Sequence, residues 1–259
     1  MVPPPRSRPR RRSAPRADSA SRERSPAAGR PAPRPAPRPA RAAREQRRLR
    51  IIGGYWGGRR FRFPALPLRP TPDRVRETLF NWLQERTRGA RCLDLYAGSG
   101  ALGLEALSRG AACVVFVEQQ PRAAQALERL LLEWQGTPPQ AQRLPAPPPQ
   151  AQTRAPAPDG TWRVLGGRAL QFLQSEASRG ERGVPRCFDI VFLDPPFASG
   201  ELPAAIAALE RGGWLAAQAR IYLEHARGEP LPALPAGWRE LRAGGAGEVG
   251  YHLLAPAEA

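Results

Sequence analysis

Between Arg91 and Glu224, short runs that are almost wholly apolar alternate with longer segments of helical periodicity, and this alternation constrains the fold more than any other feature. The expected strands are Arg91–Tyr96, Cys113–Glu118, Trp162–Leu165, Phe188–Leu193 and Ile221–Glu224. The expected helices are Ala101–Arg109, Pro121–Trp134, Ala169–Ala177 and Leu202–Leu209. A strand that is apolar at nearly every position must be covered on both faces, and parallel neighbours need crossovers, which the helices supply. The expectation is therefore an α/β fold with a mostly parallel sheet and helices on both faces. Trp238–Leu241 and Val249–Leu254 read as a closing hairpin around Gly244–Gly247, which brings the sheet to seven strands.

Ahead of this block, the stretch from Leu49 to Pro64 holds two β-prone runs separated by glycines and reads as a second hairpin whose polar positions are all arginine. Thr71-Pro72-Asp73 then opens a helix with Val75, Leu79 and Trp82 or Leu83 on one face, running to about Arg86. Two segments lack core residues. Residues 1–46 alternate Pro, Arg and Ala and are expected to be disordered, because they cannot bury enough surface to offset the entropy of ordering. Residues 137–160 hold eight prolines and read as a loop insertion.

Charge follows the same division. All 40 basic residues are arginine, and 16 of them fall within residues 1–50 against three acids, which accounts for +13 of the net +17. A basic tail suits a polyanionic partner such as nucleic acid; a codon bias towards arginine, alanine, proline and glycine would produce the same composition. Cys92, Cys113 and Cys187 lie far apart without a C-x-x-C pair, which argues against a disulfide framework or a metal centre and for small core residues in a reducing cytoplasm. The longest strand-like apolar run, Ala111–Val117, is far too short for a membrane span. The prolines of the tail would break the amphipathic helix of a transit peptide, so a cytoplasmic location is expected.

The first strand and its turn read Leu93-Asp94-Leu95-Tyr96-Ala97-Gly98-Ser99-Gly100-Ala101-Leu102-Gly103, a G-x-G-x-x-G spacing, and Glu118 ends the next strand 20 residues after Gly98. Glycines there let backbone N–H groups approach a ligand at a helix N-terminus, and the acid suits ribose hydroxyls. Asp94 would repel a pyrophosphate but would hold an ammonium. S-adenosylmethionine combines an ammonium, a carboxylate and a ribose. A strand–turn–helix without a ligand is the structural alternative.

The fourth strand ends Leu193-Asp194-Pro195-Pro196-Phe197. Two prolines after a buried strand fix an extended turn, so the Asp194 carboxylate and the Pro195 carbonyl can face one crevice at the strand ends. Two acceptors suit an exocyclic amino group, whose lone pair they free from the ring, and Phe197 offers a surface for the base to stack on. An aspartate that merely caps a turn is the alternative here.

With Arg50-Ile51-Ile52-Gly53-Gly54, Trp56, Arg59, Arg69-Pro70-Thr71 and Asp73–Leu83 added to Leu93–Ala112 and Asp194–Phe197, the chain resembles the bacterial RsmD family over about residues 48–255, the proline insertion excepted. That resemblance implies a class I, Rossmann-like methyltransferase fold and S-adenosylmethionine as methyl donor. It also implies a 16S ribosomal RNA guanine as acceptor at N2, the family target being guanine 966. Asp194, Pro195, Pro196 and Phe197 would form the catalytic turn, and Thr71, Asp94, Tyr96, Ala97, Gly98, Ser99, Gly100 and Glu118 the donor site. The chain departs from the family at Gly166-Gly167-Arg168, where a polar or acidic residue usually lies near the adenine.

Tyr55, Trp56, Arg59, Arg60, Arg62, Arg69, Arg74 and Arg76 combine charge with aromatic faces, as RNA contact requires. The expected organisation is a tail (1–46), a basic hairpin (47–70) and a methyltransferase domain (71–259). The expected partner is 16S ribosomal RNA in an assembling small subunit, approached by a monomer without metal or membrane. Two other readings use the same residues: adenine-N6 methylation of DNA or RNA, and a non-catalytic RNA-binding assembly factor.

Overall fold

The computed structural model describes residues 46–64, 71–135, 161–175, 184–185 and 187–256. The expected tail up to residue 45, the proline insertion 137–160, Arg69 and the end of the helix expected to reach Ala177 lie outside the described residues. Strands β1 (Gln46–Arg50) and β2 (Arg60–Pro64) pair antiparallel, followed by helix α1 (Asp73–Leu83). Then come β3 (Arg91–Asp94), α2 (Ala101–Ser108), β4 (Cys113–Glu118), α3 (Pro121–Gln135), β5 (Thr161–Gly166), α4 (Ala169–Gln174) and β6 (Phe188–Leu193). The chain closes with α5 (Leu202–Arg211), β7 (Leu215–Ala226), β8 (Arg239–Ala246) and β9 (Val249–Ala255).

The large sheet has seven strands in the order β5-β4-β3-β6-β7-β9-β8; the first five are parallel and the β9-β8 hairpin is antiparallel. Strand periodicity divides the core. Val114 and Phe116 turn to the face covered by α1, α2 and α3, whereas Cys113, Val115 and Val117 turn to the face covered by α4 and α5. Both faces of β4 are buried, as its unbroken apolar run requires. The strand order switches sides between the parallel neighbours β3 and β6, so a crevice opens at the carboxyl ends of these two strands.

The mostly parallel seven-stranded sheet and the N-terminal hairpin agree with the sequence reading, with three local differences. The helix expected to reach about Arg86 ends at Leu83 and gives way to a 3₁₀ turn over Gln84–Thr87. Strand β7 begins six residues before the expected Ile221, since its first half carries exposed Ala217 and Gln218 and has no apolar pattern to betray it. Gly244 and Gly245 belong to β8, and the tight turn falls at Gly247, where φ is +61°. Gly244 is small because the Tyr251 ring covers it: a Cβ there would lie 2.4 Å from Tyr251 Cζ.

The hairpin is fastened to the domain. Glu105, on the wholly buried helix α2, accepts the N–H groups of Ile52 and Gly53, each at 2.8 Å. Arg76 and Arg109 complete its shell at 3.3 and 2.9 Å. Ser108 Oγ accepts from Trp56 N and donates to the Gly53 carbonyl. Gly54 holds φ +75° and lies so close that a Cβ would sit 2.0 Å from the Ser108 carbonyl oxygen. The Ile51-Ile52-Gly53-Gly54 run is thus a docking turn on α2.

Candidate active site

Four carboxylates stand at the carboxyl ends of neighbouring strands: Asp94 on β3, Glu118 on β4, Asp194 just after β6 and Glu224 near the end of β7. Asp94 is buried and accepts the Gly103 N–H at 3.0 Å, from the first turn of α2. Burial pushes its carboxyl up to about 7, against the Gly103 bond and with help from the nearby Glu118 charge. Glu118 takes the Gly98 N–H at 2.7 Å and the Gln120 N–H at 2.6 Å. Between these acids, Ala97, Gly98, Ser99 and Gly100 form the turn into α2. Gly98 and Gly100 have φ of +52° and +77°, and a Cβ at Gly100 would strike Leu127 at 2.5 Å. Gly103 is needed for packing, since a Cβ there would meet the Phe116 ring at 2.1 Å.

The Tyr96 hydroxyl donates to Glu201 at 3.2 Å, and Arg168 reaches the other Glu201 oxygen at 2.8 Å. Burial and the Glu201 charge push the Tyr96 phenol well above its ordinary value. The loop after β3, the loop after β5 and the start of α5 are thereby tied together beside the glycine turn. The Gly166-Gly167-Arg168 departure places an arginine in this tie and presents the Gly167 N–H to the Glu118 carbonyl at 3.0 Å.

On the other side of the crevice, Pro195 is buried, Pro196 half-buried, and Phe197 remains 39% exposed at the head of a short 3₁₀ turn. The Thr71 hydroxyl donates to Asp194 Oδ2 at 3.2 Å, so Thr71 stands against the Asp194–Phe197 turn rather than the glycine turn. Burial first, and then the Glu224 charge, hold the Asp194 carboxyl well above the usual range. Glu224 was not singled out in the sequence, although it carries the signal that marked the other three: an acid ending an apolar run.

The hairpin separates the expected RNA contacts into two groups. Tyr55, Arg60, Arg62 and Arg74 are exposed. Trp56 is half-buried edge-on against Trp134, and the Arg59 guanidinium lies 4.6 Å from the same ring. Arg76 corrects the sequence expectation: its side chain is 0% exposed and bonds to Glu105, Asp73 and the Arg50 carbonyl, so it fastens the hairpin and reaches no RNA. Two arginines the sequence reading passed over, Arg48 and Arg50, stand directly across from Arg62 and Arg60 on the outer face of β1 and β2. Their strand alternation was the available signal.

Among the described residues, no helix is long and apolar enough to cross a membrane, and no cluster of three or more His, Cys, Asp or Glu side chains could hold a metal.

The family described as "Conserved hypothetical protein 95" matches residues 49–142 and 161–255. Ribosomal RNA small subunit methyltransferase D of Escherichia coli K12 is 43% identical over 206 residues, covering 79% of this chain and 88% of that one. The Haemophilus influenzae protein of the same name is 38% identical over 208 residues, with 79% and 92% covered. A solved Escherichia coli structure, yhhF, named as a candidate methyltransferase, superposes with a TM-score of 0.64 at 38% identity, covering 82% of this chain and 99% of its own. The fold and these relatives agree: the chain belongs to the RsmD family of class I methyltransferases.

Proposed function

We propose that the crevice transfers a methyl group from S-adenosylmethionine to the exocyclic N2 of a guanine in 16S ribosomal RNA, the position 966 guanine named for the family. The observation that supports this reading is the Asp194–Phe197 turn, where a carboxylate, a proline-fixed backbone and an exposed ring follow directly on β6 beside the switch in strand order between β3 and β6.

The donor half fits the ligand by its chemistry. Among the described residues, no cation pairs with the buried Asp94 carboxylate, as an incoming ammonium requires. The Gly98 and Gly100 turn brings bare backbone to the crevice, and Glu118 keeps further lone pairs for ribose hydroxyls. Bound there, S-adenosylmethionine supplies a methyl group on a cationic sulfur. The chain's own residues do the rest. Phe197 offers a face for stacking the splayed base. Asp194 and the Pro195 carbonyl accept the two amine N–H bonds and so release the nitrogen lone pair from the ring. As the nitrogen–methyl bond forms and the methyl–sulfur bond breaks, Asp194 takes the proton that the nitrogen sheds.

The outer hairpin face supports an RNA substrate. Arg48 faces Arg62 across two strands, an arrangement that costs stability in a free hairpin and that a phosphate backbone would relieve, whereas Arg50, across from Arg60, is already paired with Asp73 at 2.7 Å. On this reading the enzyme works as a cytoplasmic monomer on an assembling small subunit, with the tail (1–46) and hairpin (47–70) serving the RNA and residues 71–259 the chemistry. The test is incubation of the protein with radiolabelled donor and 16S ribosomal RNA, naked and in small-subunit particles, followed by nucleoside analysis. The expected product is N2-methylguanosine. Labelled N6-methyladenosine would replace the assignment with the adenine reading, and absence of label with the non-catalytic one.

A further inference from the structure

Glu224 has no part in the transfer just described, yet it is among the most buried charged groups of the molecule, at 2% exposure. It lies next to the catalytic turn because β6 and β7 are parallel neighbours with Leu193 opposite Leu223, so Asp194, just past the end of β6, adjoins Glu224, which still lies within β7. Tyr222, two residues back on the same face of β7, donates its hydroxyl to Glu224 Oε1 at 2.8 Å. From the opposite side, the Thr71 hydroxyl donates to Asp194 at 3.2 Å and also lies within hydrogen-bonding reach of Glu224.

We propose that Glu224 is a positioning residue of the methyl transfer, whose charge, packed beside Asp194 and opposed by the Thr71 hydroxyl, sets the basicity of Asp194. The inference rests on the assignment of Asp194 as acceptor of the amine. The groups that face this pair come from every neighbouring element: Asp194 after β6, Glu224 and Tyr222 on β7, Asp94 on β3, Thr71 before α1, and Tyr251 on β9 beside the Tyr222 ring. Among the described residues, the charges acting on Asp194 are both acidic, those of Glu224 and Asp94. A negative Glu224 makes Asp194 hold a proton more tightly, and the Thr71 hydroxyl opposes this by favouring the ionised form. The two partners thus pull the basicity of Asp194 in opposite directions. Stronger basicity serves the step in which Asp194 takes the proton from the methylated nitrogen.

This opposition gives the test its sign. In the full-length protein, Glu224→Gln removes the like charge, so Asp194 should ionise at lower pH. Thr71→Val removes the hydroxyl at similar volume, so Asp194 should ionise at higher pH. Titration of the Asp194 carboxyl by carbon-13 NMR reads this without any turnover. Single-turnover methylation at saturating donor reads it as the acidic limb of the pH profile, and displacement on the order of one pH unit is expected in each direction. Thr71→Ser should return both readouts to the wild-type position, and this arm remains if Glu224→Gln fails to fold. Coincident titrations in all variants, or shifts of the same sign for Glu224→Gln and Thr71→Val, would overturn the proposal. Opposite NMR shifts combined with a product other than N2-methylguanosine would uphold the coupling and sink the guanine assignment instead.

Discussion

Glu105 and Asp194 are both carboxylates removed from most solvent, yet their surroundings are opposite in kind. Glu105, on α2, receives two backbone N–H groups and two arginines, one of them fully buried. Asp194 receives one hydroxyl and faces two further acids. A buried charge with a complete set of partners holds a structure together, whereas one left short of positive charge is poised to accept a proton or a ligand. If this contrast is right, removing Glu105 should damage folding and leave the chemistry of surviving molecules alone. Glu105→Ala leaves the buried Arg76 with only Asp73 and the Arg50 carbonyl, strips two backbone N–H groups of the hairpin turn of their acceptor, and should lower unfolding free energy by about 3–5 kcal/mol. Denaturant unfolding measures this, and a loss below about 1 kcal/mol would break the comparison.

The same substitution at the other site should do the reverse. Asp194→Ala removes a charge that burial and Glu224 disfavour, so the fold should be no less stable and donor affinity should persist. Single-turnover methylation should slow as the barrier rises by about 3 kcal/mol, the usual cost of losing one positioned acceptor of developing charge. A folded Asp194→Ala protein with near-normal turnover would remove Asp194 from the chemistry.

Much of this site was legible in the sequence because strand-end acids follow visible apolar runs. Asp94, Glu118 and Asp194 each close such a run, and strands β4 and β6 begin and end where the pattern does. Glu224 closes one too, but its importance depends on β7 lying beside β6 in a given register, which is a long-range fact. Arg76 was misread because, in a chain whose every basic residue is arginine, charge alone does not separate surface from core. Its position on the helix was the better guide. It shares the buried face of α1 with Val75, Leu79, Phe80 and Leu83.

Asp94 offers a finer test on the donor side. Its carboxyl is held at about 7 in the protein alone, chiefly by burial, so at pH 6 it is mostly neutral. An ammonium ligand binds the ionised form. Binding therefore releases a proton below pH 7, and affinity should rise up to about tenfold per pH unit before levelling off above it. Calorimetry with S-adenosylmethionine between pH 5.5 and 8.5 would show the slope, and buffers of different ionisation enthalpy would count the proton. Asp94→Asn should bind more weakly and lose the slope. A pH-independent wild-type affinity would mean that the ammonium is held elsewhere.

The smallest effect concerns the arginines of the outer hairpin face. Arg62 stands across from Arg48 on the exposed hairpin face, and like charges in direct cross-strand register oppose pairing. Replacing Arg62 with threonine, which suits an exposed strand position, should stabilise the protein by a few tenths of a kcal/mol. The same change should weaken RNA binding, because a phosphate contact and its released counterion are lost. The slope of log affinity against log salt should become shallower by about 0.7–0.9. Opposite signs for stability and RNA affinity in one variant would identify Arg62 as a residue kept for its ligand at the expense of the fold. That is the reverse of Arg76, for which loss of stability should come without any change in salt slope once the folded fraction is accounted for. If Arg62→Thr left the salt slope untouched, the outer hairpin face would be a solvated surface, and the RNA would have to be sought along Arg74 and Tyr55.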